Sequence, residues 1–275
     1  MCVKRKKPFL CKNINHFKSM RKSVLTTIWC LIAACSLGAT DFVWKTGSPM
    51  RVACEANEEQ VVHIALDLLN RDCKAVLSQA FIVQAEEGDM YVGTRGKSKL
   101  VEEIARKEGI NLADALGTHS EAFLITVLKD GKLLIAGNDK RGTAYGILEL
   151  SRMMGVSPWE WWADVTPEKK PEFRIASGFT KTDYPLVPYR GIFINDEDWG
   201  LTPWSYTNYE PSDVKGQIGP KTHARIFELL LRLRANTFWP AMHECSVPFF
   251  FTEGNKEMAD KYAIYLGTSH CEPMM

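Results

Sequence analysis

The sequence predicts an α/β protein in two parts, a small α/β domain followed by the opening units of a larger parallel α/β domain. Three observations carry this expectation. From about residue 42, short β-rich runs alternate with stretches of helical periodicity. After Pro188 the texture changes, and near-continuous apolar runs alternate with amphipathic helices. The 275 residues suffice for about two domains of ordinary size. Apolar residues make up 45% and charged residues 24%, as in a soluble globular protein rather than a disordered or fibrous one.

The net charge of +1 points to neither nucleic acid nor a membrane surface. Much of the positive charge lies in Lys4, Arg5, Lys6, Lys7, Lys12, Lys18, Arg21 and Lys22, so the remainder is net acidic and no nucleic-acid partner is expected. This basic stretch precedes an apolar run, Val24 to Leu37, of about 14 residues, short for a membrane span. That is the layout of a secretory signal peptide over residues 1–39, with Met20-Arg21-Lys22 as the natural start and residues 1–19 a spurious upstream extension. The rival is a buried core helix. Ala39 is one cleavage candidate; Ile32-Ala33-Ala34-Cys35 resembles a lipoprotein box, which would place a lipid anchor on Cys35. Export to the periplasm, the outer-membrane surface or the extracellular space follows. Of eight cysteines, Cys54, Cys73, Cys245 and Cys271 remain in the mature chain, without CxxC or zinc-type spacing. Export permits a disulfide, but none is specified.

Residues 40–170 read as the small domain. Gln60 to Asn70 has apolar residues at helical spacing, and Lys74 to Ser78 is a short strand candidate. Met90 to Gly93 is another strand, followed by a helix from Ser98 to Glu108 that Gly109 can end. Phe123–Leu128 and Lys132–Ala136 are β-rich runs, and Asp130-Gly131 between them signals a type I′ hairpin. Asp139 is the candidate N-cap of a helix running to about Met154. Gly93-Thr94-Arg95-Gly96 lacks the spacing of a phosphate loop and reads as a turn. Ser157 to Asp164 gathers Trp159, Trp161 and Trp162, as an interdomain apolar seam or as a sugar subsite. Residues 171–188 are the expected linker.

Residues 189–275 begin the second domain. Tyr189 to Asn195 reads as a strand buried on both faces of a parallel sheet. Lys221 to Ala235 is an amphipathic helix with Ile226, Leu229, Leu230 and Leu233 on one face. Asn236 to His243 is the next strand, Asn255 to Leu266 the next helix, and Gly267 to His270 enters a third strand or its loop. This is the opening rhythm of a (β/α) barrel or of a doubly wound sheet.

Each strand ends in reactive side chains: Asn195-Asp196-Glu197-Asp198-Trp199, then His243-Glu244, then His270 and Glu272. In a (β/α) barrel the site is built at the carboxyl ends of the strands. Carboxylates serve as acids, bases and hydroxyl acceptors, and the indoles of Trp199, Trp204 and Trp239 offer faces to sugar rings. Singly, the acids read as a solvated loop and His243-Glu244 as a local pair; together, at successive strand ends, they suit a sugar site. HExxH spacing is absent, and neither metal nor cofactor is expected.

Tyr189-Arg-Gly-Ile-Phe-Ile-Asn-Asp-Glu-Asp-Trp-Gly-Leu-Thr-Pro-Trp204 resembles the first barrel strand and loop of glycoside hydrolase family 115. Leu233 to Glu244 and Gly267 to Met274 resemble that family's next two strands, and the domain carrying Asp139 to Leu150 resembles its accessory domain. The resemblance implies a small amino-terminal α/β domain followed by the first strand-helix units of a (β/α)8 (TIM-type) barrel, incomplete. It implies an inverting α-glucuronidase that removes glucuronic acid or its 4-O-methyl form from xylan side chains, with glucuronoxylan or a related plant polysaccharide as substrate. It implies substrate binding by Asn195, Asp196, Trp199, His243, Glu244, His270 and Glu272, of which His243, His270 and Asn195 are the candidate partners of the sugar carboxylate. Asp198 is the one catalytic candidate. A (β/α) barrel takes about 250 residues, and Tyr189 to Met275 supplies 87. The expectation is therefore an inactive fragment whose main acid and base lie beyond residue 275, from a full-length parent expected to be a homodimer. The rivals are a glycosidase of another family with the same two-domain plan, and a carbohydrate-binding protein with Trp159, Trp161 and Trp162 lining a groove.

Overall fold

A computed structural model describes residues 40–195 and 199–268. The expected signal segment, the lipoprotein box and Cys35 lie outside them. The accessory and barrel portions fall within one compact unit that begins at Thr40.

The amino-terminal part is a three-layer α/β sandwich. Its elements run β1 (Phe42–Lys45), β2 (Arg51–Cys54), α1 (Gln60–Leu77), β3 (Ile82–Gln84), β4 (Met90–Thr94), α2 (Lys99–Glu108), α3 (Leu112–Leu116), β5 (Phe123–Val127), β6 (Leu133–Gly137) and α4 (Lys140–Met154). β7 (Glu172–Ile175) and β8 (Thr180–Asp183) follow. The main sheet has six strands in the order β3-β2-β4-β6-β5-β8. β3, β2, β4 and β6 are parallel; β5 runs antiparallel to both β6 and β8. Side chains alternate between faces as the pleat demands. Val52, Met90, Val92, Ile125 and Ile135 join the core that α1 and α4 cover, while Ala53, Tyr91, Leu124, Leu134 and Ala136 meet α2 and α3. Because β4, β5 and β6 are buried throughout, they read in the sequence as continuous apolar runs.

The helix ends follow from their caps. Ser98 accepts from the Val101 N–H, and Asp139 from Arg141 and Gly142, while Gly109 and Gly155 close α2 and α4 in the left-handed conformation. Three local expectations change. Lys74 to Ser78 is the last turn of α1 rather than a strand. Val76 and Leu77 continue the buried face of Leu69 and Cys73, and the helix stops where Ser78 turns left-handed at φ 53°. The β5–β6 connection is a three-residue loop rather than a type I′ turn. Leu128 and Lys132 close it, Gly131 takes the positive φ of 84°, and the Asp130 carboxylate accepts from the Lys132 N–H. Residues 171–188, expected as linker, supply β7, paired antiparallel with β1, and β8, which extends the main sheet. Pro167 and Pro171 mark the approach to these strands, and the burial of Phe173 and Ile175 explains why the chain does not stay loose there.

The second part contains β9 (Gly191–Phe193), a short helix α5 (Leu201–Trp204) running into a π-helical turn (Ser205–Tyr209), α6 (Pro220–Arg232), β10 (Thr237–Trp239), α7 (Asn255–Lys261) and β11 (Tyr265–Leu266). β9, β10 and β11 are parallel in the order β11-β10-β9, giving two strand–helix–strand units. Each strand is shorter than its apolar run. β9 is an edge, with Ile192 and Phe193 exposed rather than buried on both faces. The expected helix to Leu266 stops at Lys261, because Ala263 goes left-handed at φ 55° and the chain turns into β11. Leu233, assigned by periodicity to the buried face of α6, is exposed, since the helix ends at Arg232.

One core serves both parts. Ile226, Phe227, Leu230 and Phe238 belong to the same buried cluster as the side chains of α1 and α4. Buried ion pairs cross the same boundary. Arg232 from α6 makes a bidentate pair with Asp72 of α1 at 2.8 and 3.0 Å, and Arg71 pairs with Glu228. Glu149 of α4 accepts from Arg152, Lys181 and Arg234 at 2.6 to 2.7 Å. Burial pushes the Glu149 carboxyl upward, but these three cations outweigh it and hold it at about 2.

Candidate active-site face

The amino ends of β9, β10 and β11 are fixed by a single buried carboxylate. Glu121 sits before β5 with φ 61°, and its side chain is 3% exposed. It accepts from Arg141 Nε at 2.6 Å, from Asn236 Nδ2 at 2.7 Å and from Arg190. Arg190 opens β9 and also donates to the Arg234 carbonyl at 2.7 Å. Asn236 opens β10, is fully buried, donates to the Pro188 carbonyl at 2.7 Å and accepts from the Arg190 N–H at 3.0 Å. Arg141 reaches β11, donating to the Ala263 carbonyl at 3.1 Å and to the Tyr265 hydroxyl at 2.5 Å. Three strands are thereby tied at one end to one group of the amino-terminal part. Close strand approach completes the frame: a Cβ on Gly191 would lie 1.7 Å from the Thr237 carbonyl oxygen.

The carboxyl ends emerge side by side on the opposite edge. Phe193 pairs with Trp239 across β9 and β10, and the Gly267 N–H donates to the Phe238 carbonyl at 2.9 Å. Trp239 lies on the face opposite Phe238, whose ring is buried against Phe227 and His223. The indole meets Phe193 edge to face at 6.1 Å and covers Gly267, where a Cβ would fall 1.9 Å from its Nε1. Gly267 is thus required by the seat of Trp239, which remains 40% exposed. The motif Gly267-Thr-Ser-His carried this signal in its glycine, which spacing alone did not reveal.

Asn195 and Trp199, at the exit of β9, and His243 and Glu244, beyond β10, are all exposed at this edge. The structure therefore brings these four expected site residues to one end of adjacent strands. His243 Nδ1 lies 3.4 Å from Cys245 Sγ, and the loop folds back through a Ser246 N–H to His243 carbonyl bond of 2.8 Å. Asp196, Asp198, His270 and Glu272 lie outside the described residues. Among the described residues no group of three or more His, Cys, Asp and Glu side chains converges as a metal site would.

The scaffold behind the face is polar where it must be. The Glu210 carboxylate caps α6, accepting from the Lys221 and Thr222 N–H groups at 3.1 and 3.0 Å. His223 is wholly buried, with Nδ1 facing the Gly219 carbonyl at 3.0 Å and Asn255 Oδ1 at 3.1 Å. Burial holds its pKa down to about 4, so the ring is neutral and Nδ1 is its donor. Trp204 departs from expectation. It stacks on Tyr209 at 4.9 Å and meets Trp161 at 6.0 Å and Trp162 at 6.3 Å, where the Trp162 indole N–H donates to the Arg225 carbonyl of α6 at 3.1 Å. The aromatic-rich turn at Ser157–Asp164 is therefore a seam against α6, and Trp204 belongs to it.

Three parallel strands joined by helices, with His243, Glu244 and the indoles of Trp199 and Trp239 exposed at or beyond strand ends, define the class: an α/β chain carrying the opening units of a (β/α) barrel. Residues 182–275 match the family model for glycosyl hydrolase family 115. A solved family GH115 4-O-methyl-α-glucuronidase with specificity for decorated arabinogalactans is 59% identical, with a TM-score of 0.81 over 85% of this chain and 30% of that one. The structure of CpGH84D, at 12% identity and a TM-score of 0.53 over 82% of this chain and 34% of that one, shares the fold. No curated protein gives a match. The chain belongs to glycosyl hydrolase family 115. It spans 30% of the length of the solved family relative.

Proposed function

We propose that this chain supplies the accessory domain and first barrel strands of an inverting α-glucuronidase, which releases glucuronic acid or its 4-O-methyl form from polysaccharide side chains. The observation that carries the reading is the 59% identity to a 4-O-methyl-α-glucuronidase, at a TM-score of 0.81 over 85% of this chain. Inversion asks for one carboxylic acid to protonate the leaving oxygen while a carboxylate activates water on the opposite face of the ring. Asp198 is the one such candidate in this chain; the main acid and base come from elsewhere in the full-length protein. Asn195 and His243 offer donors to the uronate, with His270 in the same role, and Asp196, Glu244 and Glu272 accept from sugar hydroxyls. Trp199 and Trp239 offer the apolar faces on which a ring stacks.

The relative's specificity for decorated arabinogalactans supports an arabinogalactan as the polymer, in place of xylan. The test is release of glucuronic acid by the full-length parent, with arabinogalactan and glucuronoxylan as parallel substrates and H243A as a variant. Expected is release from arabinogalactan, reduced by the variant; release from neither polymer overturns the assignment. The 275-residue chain alone is expected to be inactive, and turnover by it would refute placing the main acid and base elsewhere. We also propose export through residues 20–39. Accumulation of the protein in the cytoplasm of the native host would count against it, and membrane association abolished by C35A would identify the lipid anchor.

A further inference from the structure

We propose that a cleft between the last turn of α1 and the tryptophan seam is a second carbohydrate site, lined by residues other than those at the strand ends, which takes a neutral stretch of the polysaccharide chain. The cleft measures about 820 Å³ and is lined by Ala75, Glu160, Trp161, Trp162, Asp164 and Trp204, with Thr166 on its rim. A volume of this order holds a short oligosaccharide.

Its aromatic wall is built rather than incidental. Tyr209 stacks on one face of Trp204 at 9° between planes, which fixes the ring. Arg225 sits 4.8 Å over Trp161, with its charge engaged by Glu228 at 3.0 Å and its Nε by the Tyr209 hydroxyl at 3.2 Å. The indoles are therefore held in place and remain partly exposed to the cleft. Rigid indoles offer large contact area at little entropic cost.

The polar groups are set for hydroxyls. The indole N–H of Trp162 is used on the Arg225 carbonyl, but those of Trp161 and Trp204 have no acceptor among the described residues. The Asp164 carboxylate and Thr166 hydroxyl likewise have no partner among them, and both residues are exposed. Two donors and two acceptors thus border an aromatic wall, which is what a ring with one apolar face and a rim of hydroxyls requires. Charge selects among sugars. Arg71 lies 3.3 Å from Glu160 but is shared with Glu228, and Asp164 has no cation beside it. The cleft is net acidic, so it disfavours a uronate and favours an uncharged sugar. The choice of polymer rests on the function proposed above; the existence of the cleft site does not.

The test is titration of the 275-residue chain with a neutral galacto-oligosaccharide, a neutral xylo-oligosaccharide and free glucuronic acid, followed by tryptophan emission and calorimetry. A75R and T166R introduce a long cation at exposed positions of a helix and a loop, so folding is preserved and checked by the unfolding midpoint. Expected is saturable binding of a neutral oligosaccharide, weakened at least about tenfold in A75R, which corresponds to about 1.4 kcal/mol. The same binding is unchanged in H243A, which alters the strand-end face. Whichever neutral oligosaccharide binds identifies the polymer, and loss of hydrolysis in the parent would leave this result untouched. Absence of saturable binding by both neutral oligosaccharides, binding that survives both arginine variants, or tighter binding of glucuronic acid would each overturn the proposal.

Discussion

Replacing Glu121 by Gln tests whether one carboxylate holds the amino ends of the barrel strands. Gln keeps the side-chain length and the left-handed backbone at φ 61°, so the change isolates the charge. Arg141 and Arg190, with side chains 12% and 21% exposed, would then face a neutral amide in place of an anion. Breaking a buried pair in this way costs about 3–5 kcal/mol. Because both arginines retain some access to water and keep their carbonyl partners, the lower end applies, about 3 kcal/mol. For a domain of this size that is a fall in Tm of about 6–12 °C. The assay is urea unfolding of the 275-residue chain followed by tryptophan emission, with thermal unfolding in parallel. The control is D260N, which removes an exposed pair with Lys256 whose side chains are 65% and 70% exposed and should change stability by less than about 1 kcal/mol. If E121Q costs no more than the control at an unchanged m-value, Glu121 is not the tie between the two parts.

Four other outcomes follow from the same frame. Gly191→Ala places a methyl group against the Thr237 carbonyl, so β9 must part from β10; the expected loss is about 3 kcal/mol or more by urea unfolding, and a change under about 1 kcal/mol would contradict the close approach. Gly267→Ala displaces the Trp239 indole, a side chain at the surface, so tryptophan emission should shift while the unfolding midpoint moves little; unchanged emission would count against the seat described. His223 is held neutral at about 4 against an ordinary value of 6.5, so the unfolded chain binds the extra proton between these limits and stability falls as pH drops from 6.5 towards 4, by up to about 3 kcal/mol; H223Q should flatten this limb of the stability–pH curve. Glu149 titrates near 2 in the folded state against 4.5 unfolded, so its contribution is present above pH 4.5 and is lost as pH falls towards 2; E149Q should lower stability at neutral pH and narrow its gap to the native chain in acid.

The elements legible in the sequence were those whose signal is local. Met90–Thr94, Phe123–Val127 and Leu133–Gly137 are buried on both faces and had to be continuous apolar runs. Ser98, Asp139 and Gly109 bound their helices through bonds to groups within a few residues. What was not legible depends on distant partners. β7 and β8 exist because β1 and β5 offer them edges, and no periodicity over residues 171–188 encodes that. Lys74–Leu77 has strand-like composition but continues a face whose packing surface, α4, lies sixty residues or more downstream. At the candidate site, the strand–helix rhythm was readable, and it puts Asn195 and Trp199 after β9 and His243 and Glu244 after β10, where all four are exposed. Trp204 was misplaced because an indole near a strand end in sequence can turn outward when other aromatic rings, here Trp161, Trp162 and Tyr209, offer it a stack.

The placement of charge explains how such short strands can present a site at all. β9, β10 and β11 have three, three and two residues, too few for their own ladder bonds to fix register. Register is instead imposed at the amino ends, where Glu121 gathers Arg190, Asn236 and Arg141, the last of which reaches Tyr265. A one-residue slip of β10 would carry Asn236 away from Glu121 and exchange Phe238 with Trp239 between the core and the open face. The buried network thus opposes the same slip that the apolar core opposes. This satisfaction of polar groups at the amino ends fixes the strands from the side of the accessory domain. Asn195, Trp199, His243 and Glu244, beyond the carboxyl ends of β9 and β10, are exposed on strands whose positions are thus determined from behind.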